Sequence, residues 1–281
     1  MRQLFKEIQI PAKYMSVLKE VDCKWFTWSD SFREEIPRLK QQFKRLKSID
    51  FIFLKKYKEY NYTYQVNIKK LDSDFIDVFI EYTRSLLKYN PRHRIYFFTN
   101  LIDEDINGRL YHFIIALFRS VIVKISKNDS SALYSPLTAG KHESEFPLHC
   151  DLYIPKILFN IFEKVPDNAT GASIFVKTDV LFKDVIPFIK MVPIEVVKKL
   201  KSFIYGARTV DNYDEFFSLL YNEKHPWAIS LKTELHKRKL KIRLLKGQGY
   251  MIDDTVWMHG RDKTIGGVSS KRLHRLIFNI K

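Results

Sequence analysis

Apolar and polar residues are spaced differently in the two parts of this chain. Up to about residue 114 apolar positions recur mostly at helical spacing, as in 29–48 and 71–90, and Ser29 and Asp30 are predicted caps. The pattern in 106–126 predicts an apolar helix followed directly by a β-branched strand, SVIVKIS. Further on, short strand-like runs dominate, with helices predicted near 194–205 and 213–222. This order predicts an α+β protein whose helices buttress a β-sandwich or barrel.

The chain contains no internal repeat, low-complexity tract or linker-like segment that would mark a domain boundary. We therefore predict a single domain over 1–281. Its 1–114 part is expected to be a mainly helical buttress, and 115–281 a strand-rich core with a helical insert near 190–225.

The composition is that of a folded protein, because 46% apolar and 15% aromatic residues suffice for a core. Two cysteines cannot build a disulfide framework. No apolar run has the length of a signal peptide core or a membrane-spanning helix. We expect a soluble, cytoplasmic protein without a membrane partner.

The net charge of +16 makes nucleic acid or another anionic partner a hypothesis to keep. In the densest basic run, HKRKLKIRLLK at 236–246, four cations lie at alternate, odd-numbered positions and three apolar residues lie at even-numbered positions. That alternation is typical of an amphipathic strand with a solvated cationic face. Charge alone therefore favours no nucleic-acid site.

The stretch EFPLHCDLYIPK, 145–156, places His149 and Asp151 on the same face of an extended segment. A polar strand edge, a metal site and a hydrolytic His/Asp pair all fit this pattern. Cys150 has the opposite parity, so we interpret it as core packing. A hydrolytic site would need a nucleophile, but the chain has no Gly-x-Ser-x-Gly elbow. It also has no Walker loop, Gly-x-Gly-x-x-Gly or Cys-x-x-Cys motif.

A second histidine, His259, follows the apolar VWM in a predicted strand near the C-terminus. Two histidines and one carboxylate would leave three positions open on one side of an octahedral ferrous ion. Arg272 and Arg275 lie 13 and 16 residues beyond His259 on a closing strand. Arginines in such a place favour planar, anionic partners such as a dicarboxylate.

These elements resemble the Fe(II)/2-oxoglutarate-dependent dioxygenases, and WMHGR is similar to the taurine dioxygenase and clavaminate synthase branch. The resemblance covers about 145–281 and implies a double-stranded β-helix core (jelly-roll, cupin-like) with N-terminal and inserted helices. It implies that His149, Asp151 and His259 bind iron. It also implies that Arg272 holds the distal carboxylate of 2-oxoglutarate together with Ser173 of GASIFVK, with Thr170 as an alternative to Ser173.

The match at the arginines is imperfect, because relatives commonly carry two arginines four residues apart and here they are three apart. A strand cannot point Arg272 and Arg275 to one face without a bulge. Arg275 is therefore a second candidate, for holding either the substrate or the cosubstrate.

The activity implied by the resemblance is hydroxylation of an amino acid or other small metabolite, using Fe(II), 2-oxoglutarate and O2 and releasing succinate and CO2. The polar stretch 126–146 is a candidate for part of the substrate entrance. An oxygenase acting on RNA or on a protein side chain is one alternative. A basic α+β module that binds nucleic acid or protein without catalysis is another.

Overall fold

The structure is a computed structural model that describes residues 2–56, 61–138, 145–152, 156–165, 171–189, 191–263 and 272–279. Within these ranges the strands are β1 Phe5–Ile8, β2 Cys23–Trp28, β3 Phe51–Lys56, β4 Asn61–Val66, β5 Ile95–Phe98, β6 Ala132–Thr138, β7 Phe146–His149, β8 Ile157–Lys164, β9 Ser173–Lys177, β10 Leu240–Ile242, β11 Gly249–Asp253, β12 Trp257–Arg261 and β13 Arg272–Phe278. The helices are α1 Ala12–Leu18, α2 Asp30–Glu34, α3 Ile36–Arg45, α4 Ser73–Leu86, α5 Gly108–Ser126, α6 Thr178–Val180, α7 Ile194–Tyr205, α8 Val210–Tyr221 and α9 Ala228–Lys237.

Most strands belong to two sheets. The larger sheet has the order β1-β2-β5-β11-β8-β13-β6, and the smaller one has the order β10-β9-β12-β7. Their neighbours pair antiparallel, except that β2 and β5 pair parallel. A separate hairpin joins β3 to β4. The chain is therefore a mixed α+β protein, as predicted.

The two sheets face each other across an apolar interior. Phe175 of the smaller sheet packs edge-on against Tyr250 of the larger one, with ring centroids 4.8 Å apart. Side chains alternate along each strand, so one face of each sheet lines this interior. Along β12, for example, Trp257 belongs to the interior cluster and Met258 to the cluster on the outer face.

Helices cover the two outer faces. Residues of α3, α4 and α5 pack on the outside of the larger sheet, and residues of α7, α8 and α9 pack on the outside of the smaller one. Ser29 caps α2 by accepting a hydrogen bond from the backbone N–H of Phe32, as predicted. No helix among the described residues has the length and apolar character needed to cross a membrane.

Several local predictions were wrong. SVIVKIS is part of the single helix α5, and residues 132–138 of the predicted polar loop form a strand. In the basic run only Leu240–Ile242 is a strand, and the side chain of Lys239 is buried against Glu145 and Asp262 instead of facing solvent. The first part of the chain adds β1, β2 and β5 to the larger sheet, which the helical pattern did not indicate.

Candidate metal centre

His149, Asp151 and His259 meet on the inner face of the smaller sheet. Antiparallel pairing of β7 with β12 places His149 directly opposite His259, and Asp151 follows the end of β7. Nε2 of His149 lies 3.4 Å from Oδ1 of Asp151, and Nε2 of His259 lies 3.8 Å from Oδ2. One ligand atom from each residue can be chosen so that all lie within 4.8 Å of one another. The predicted trio is therefore brought together by strand pairing.

The other nitrogen of each imidazole ring faces an oxygen atom outside this trio. Nδ1 of His149 lies 2.9 Å from the carbonyl oxygen of Pro147, which can only accept, so Nδ1 carries the proton. Nδ1 of His259 lies 3.3 Å from Oδ1 of Asp254, whose charge favours a proton on that nitrogen. Both rings therefore direct Nε2 towards Asp151. This is the arrangement in which histidine ligates a metal.

A bound cation would satisfy atoms that otherwise lack partners. His149 and His259 are 1% and 2% exposed and Asp151 is 7% exposed. Within the described part of the chain, neither ring nitrogen of His259 makes a hydrogen bond; Nδ1 faces Oδ1 of Asp254 at 3.3 Å, which leaves Nε2 for another partner. Buried polar atoms in folded proteins are almost always paired, so this orphaned lone pair fits a metal ligand. The residues present thus fit a divalent metal held by two imidazoles and one carboxylate.

The charges around the trio keep its members in the protonation states that a metal needs. Burial acts to raise the pKa of Asp151, but Arg275 and the two histidines outweigh it and hold that pKa below its usual value. Burial and the neighbouring His149 lower the pKa of His259, against the opposing effect of Asp151 and Asp254. Near neutral pH, Asp151 is therefore ionised and His259 is neutral.

Arg275 reaches the trio from the opposite sheet. Its NH1 donates to Oδ2 of Asp151 at 2.8 Å, and its Nε donates to Oδ1 of Asn160 at 3.2 Å. Asn160 in turn donates to the hydroxyl of Tyr250 at 2.7 Å. A guanidinium group and two polar side chains of the larger sheet thus face the candidate metal position.

Arg272 does not reach this site, which corrects the prediction that it lies in the cosubstrate pocket. Its side chain is 55% exposed and lies 3.5 Å from Glu163. Side chains two residues apart in a strand lie on the same face. Arg275 is therefore on the face of Ile277, which belongs to the interior cluster. Arg272 is on the face of Leu276, which the helices cover. A register shift occurs between Arg272 and Leu273, but it does not bring the two arginines to one face.

Ser173 lies on the inner face of β9, but at a distance along the strand from the trio. It is buried and pairs with Arg261, whereas Phe175 pairs with His259. Two strand residues separate these positions by about 7 Å. Thr170, its predicted alternative, lies outside the described residues.

Two residues next to the trio were not singled out from sequence. Asp254, in the turn between β11 and β12, accepts a hydrogen bond from the backbone N–H of Asp151 at 2.8 Å. Arg208, between α7 and α8, forms a buried ion pair with Asp254. No local feature of the sequence indicated that Arg208 and Asp254 are partners. Cys150 packs in the apolar cluster under α7–α9, which confirms its predicted role in packing.

Aromatic side chains border the site on one side. The ring of Phe146 lies 4.5 Å from that of His149, and Phe217 of α8 lies 5.7 Å from it. Phe146 is 47% exposed, so one aromatic ring separates His149 from solvent here.

No family model and no curated protein matches this sequence. Among solved structures, the chain is similar to asparagine oxygenase in complex with Fe(II), 3-hydroxyasparagine and succinate, at 11% identity and a TM-score of 0.43, over 90% of this chain and 93% of that one. It is also similar to the non-heme iron oxygenase OrfP, at 8% identity and a TM-score of 0.41, over 92% and 94%.

A third similar structure is PvcB from Pseudomonas aeruginosa, described as an Fe, alpha-ketoglutarate dependent oxygenase from an isonitrile synthetic pathway. The identity is 10% and the TM-score 0.37, over 83% of this chain and 93% of that one. These three solved structures are described as oxygenases, and each description names iron.

Proposed function

We propose that this protein is an Fe(II)- and 2-oxoglutarate-dependent dioxygenase that hydroxylates an amino acid or another small metabolite. The observation that carries this proposal is the buried trio of His149, Asp151 and His259, with both Nε2 atoms directed at one carboxylate. Two imidazoles and one carboxylate with open positions are typical of non-haem Fe(II) oxygenases. The two facing sheets are consistent with the expected double-stranded β-helix, and we propose that 1–281 forms one oxygenase domain.

Each side chain of the trio would contribute one ligand. His149 and His259 would bind the metal through Nε2, since their Nδ1 atoms face Pro147 and Asp254. Asp151 would bind through Oδ1, because its Oδ2 accepts from Arg275. The bound iron and 2-oxoglutarate would together activate dioxygen, releasing succinate and CO2 and oxidising a substrate C–H bond.

We assign the carboxylate-binding role to Arg275 in place of Arg272. Arg275 lies on the inner face, where Asp151 and Asn160 hold its guanidinium group beside the candidate metal position, and a planar guanidinium group suits a carboxylate partner. A carboxylate bound there would be that of 2-oxoglutarate or of an amino-acid substrate. Ser173 stays a proposed cosubstrate contact from the same inner face.

The interior around the site would exclude water while substrate is bound. Phe146, Phe217 and Tyr250 place aromatic rings around the two histidines. An apolar wall facing the guanidinium group of Arg275 suits a small molecule that combines a carboxylate with an apolar chain. This favours an amino acid or related metabolite over a nucleic acid.

The test is an anaerobic titration with Fe(II) and 2-oxoglutarate, in which the weak visible charge-transfer band of the chelate is followed. The wild type should form the band, and His149→Ala and Asp151→Ala should abolish it. His93→Ala, at an exposed histidine, is the matched control and should retain it. A folded wild type that forms no band contradicts the proposal. Salt-sensitive nucleic-acid binding that survives a chelator would then support the basic binding module.

A further inference from the structure

Arg208 is an arginine buried deep between three separate segments of the chain. It lies in the short connection between α7 and α8, which belong to the helical insert over the smaller sheet. Its side chain is 0% exposed. A charged group is rarely buried so completely unless it is fully paired.

All five N–H donors of this guanidinium group have an acceptor. Nε donates to the carbonyl of Phe203 at 3.2 Å, and NH2 donates to the carbonyls of Ile204 and Asp254, each at 3.0 Å. NH1 donates to the carbonyl of Asp151 and to Oδ2 of Asp254. Two of the five acceptors lie in α7, and the others lie on Asp151 and Asp254.

Asp254 connects Arg208 to two of the candidate metal ligands. Its Oδ2 accepts from the N–H of Asp151 as well as from Arg208, and its Oδ1 faces Nδ1 of His259. One carboxylate therefore holds the backbone of one candidate ligand and the ring of another. Such supporting contacts change metal affinity by about 10- to 100-fold when they are removed.

The insert also has an apolar interface with the smaller sheet. Leu200, Phe203 and Leu220 belong to one buried cluster with Val176 and Met258 of that sheet. Buried ion pairs often add little stability compared with apolar residues of similar size. The five hydrogen bonds of Arg208 therefore indicate that it positions the candidate metal ligands as well as anchoring the insert.

We propose that Arg208, through Asp254, is a positioning residue that couples docking of the α7–α8 insert to the geometry of the metal site. The proposal rests on the metal-binding part of the proposed function. Because such coupling is reciprocal, a bound metal should also slow local opening of the insert. The ligand geometry is thus determined partly by helices outside the two sheets.

The test compares Arg208→Lys with Arg119→Lys. Arg119 is also wholly buried, and it donates to the carbonyl of Ala132 and to Gln65 on the helix-covered side of the larger sheet. Lysine keeps the positive charge but lacks the planar guanidinium group and its five N–H donors. Calorimetric titration with Co(II) should give about 10- to 100-fold weaker binding for Arg208→Lys than for the wild type. Arg119→Lys should lose stability without losing Co(II) affinity.

Hydrogen exchange supplies a second readout that a purely structural role would not change. Co(II) should slow amide exchange within 194–221 in the wild type and in Arg119→Lys, but not in Arg208→Lys. If Arg208→Lys does not fold, the double variant Arg208→Met/Asp254→Asn removes both charges at once and serves in its place. Co(II) affinity and insert protection equal to wild type in the folded variant would overturn the proposal. A wild type that does not bind Co(II) would instead contradict the proposed function.

Discussion

At the scale of single residues, the two arginines of β13 lie on opposite faces, and we expect only Arg275 to bind a ligand carboxylate. Replacing Arg275 with lysine should raise KM for 2-oxoglutarate or for the primary substrate by about tenfold to a hundredfold. A hydrogen bond to a charged group is worth about 1.5–3 kcal/mol. Steady-state kinetics with each ligand varied in turn would show which carboxylate Arg275 holds.

Arg272→Lys is the matched control for this prediction, since its side chain is exposed beside Glu163. It should leave both KM values within about twofold of the wild type, as expected for a surface substitution. Raised KM values in Arg272→Lys with none in Arg275→Lys would restore the assignment made from spacing alone.

Residue-level prediction succeeded where the relevant geometry was local. His149 and Asp151 share a face in any extended strand, so their convergence followed from spacing alone. The choice between Arg272 and Arg275 depended on which parity of β13 faces the interior, which only the assembled sheets determine. Arg208 and Asp254 pair across 46 residues that include α8 and α9, and neither carries a local signal for the other.

At the scale of elements, β7 and β12 approach closely because Gly260 lacks a side chain. A Cβ atom there would lie 2.6 Å from the carbonyl oxygen of Phe146 and 2.8 Å from that of Pro147. Both are backbone atoms, and the Pro147 carbonyl also holds the ring of His149. Gly260 therefore sets the spacing between the strands that carry the two histidines.

Gly260→Ala should push β7 away from β12, costing about 1–3 kcal/mol of stability and at least about tenfold in Co(II) affinity. Thermal unfolding and metal titration measure the two effects. Gly108→Ala is the control, since its Cβ would meet only the flexible side chain of Glu163. Unchanged metal binding in a folded Gly260→Ala protein would show that this spacing is not critical.

Helices and strands were predicted correctly where turn residues bound them. They were predicted poorly where tertiary packing determines the secondary structure. The short strand-like runs predicted for the later part of the chain correspond to β7–β9 and β11–β13, and the helices predicted near 194–205 and 213–222 correspond to α7 and α8. SVIVKIS looked like a strand because β-branched residues favour strands, yet it continues the buried face of α5. The short strand β5 has only four residues, too few for a periodic signal.

At the scale of the whole molecule, buried histidines link stability to pH. Burial lowers the pKa of His112 to about 4 and also lowers that of His274, which is connected to it through the hydroxyl of Tyr134. The folded protein therefore favours neutral histidines more than the unfolded chain does. Their contribution to stability is complete above pH 6.5 and is lost as pH falls towards 4.

We expect the free energy of unfolding to decrease between pH 6.5 and pH 4. For His112 alone, a pKa change from 6.5 to about 4 corresponds to at most about 3 kcal/mol. His112→Phe should reduce the steepness of this decrease. Urea unfolding of both proteins at pH 7, 5.5 and 4.5 measures it. A slope that is the same in the variant would show that His112 does not contribute.

The position of β11 has a consequence for dividing the chain. This strand pairs with β5 from the first part of the sequence on one side and with β8 on the other. A fragment starting at residue 115 would leave one edge of β11 with unpaired backbone N–H and C=O groups. Exposed apolar edges of this kind pair with other chains and aggregate. The strand-rich part should therefore be expressed together with the residues that precede it.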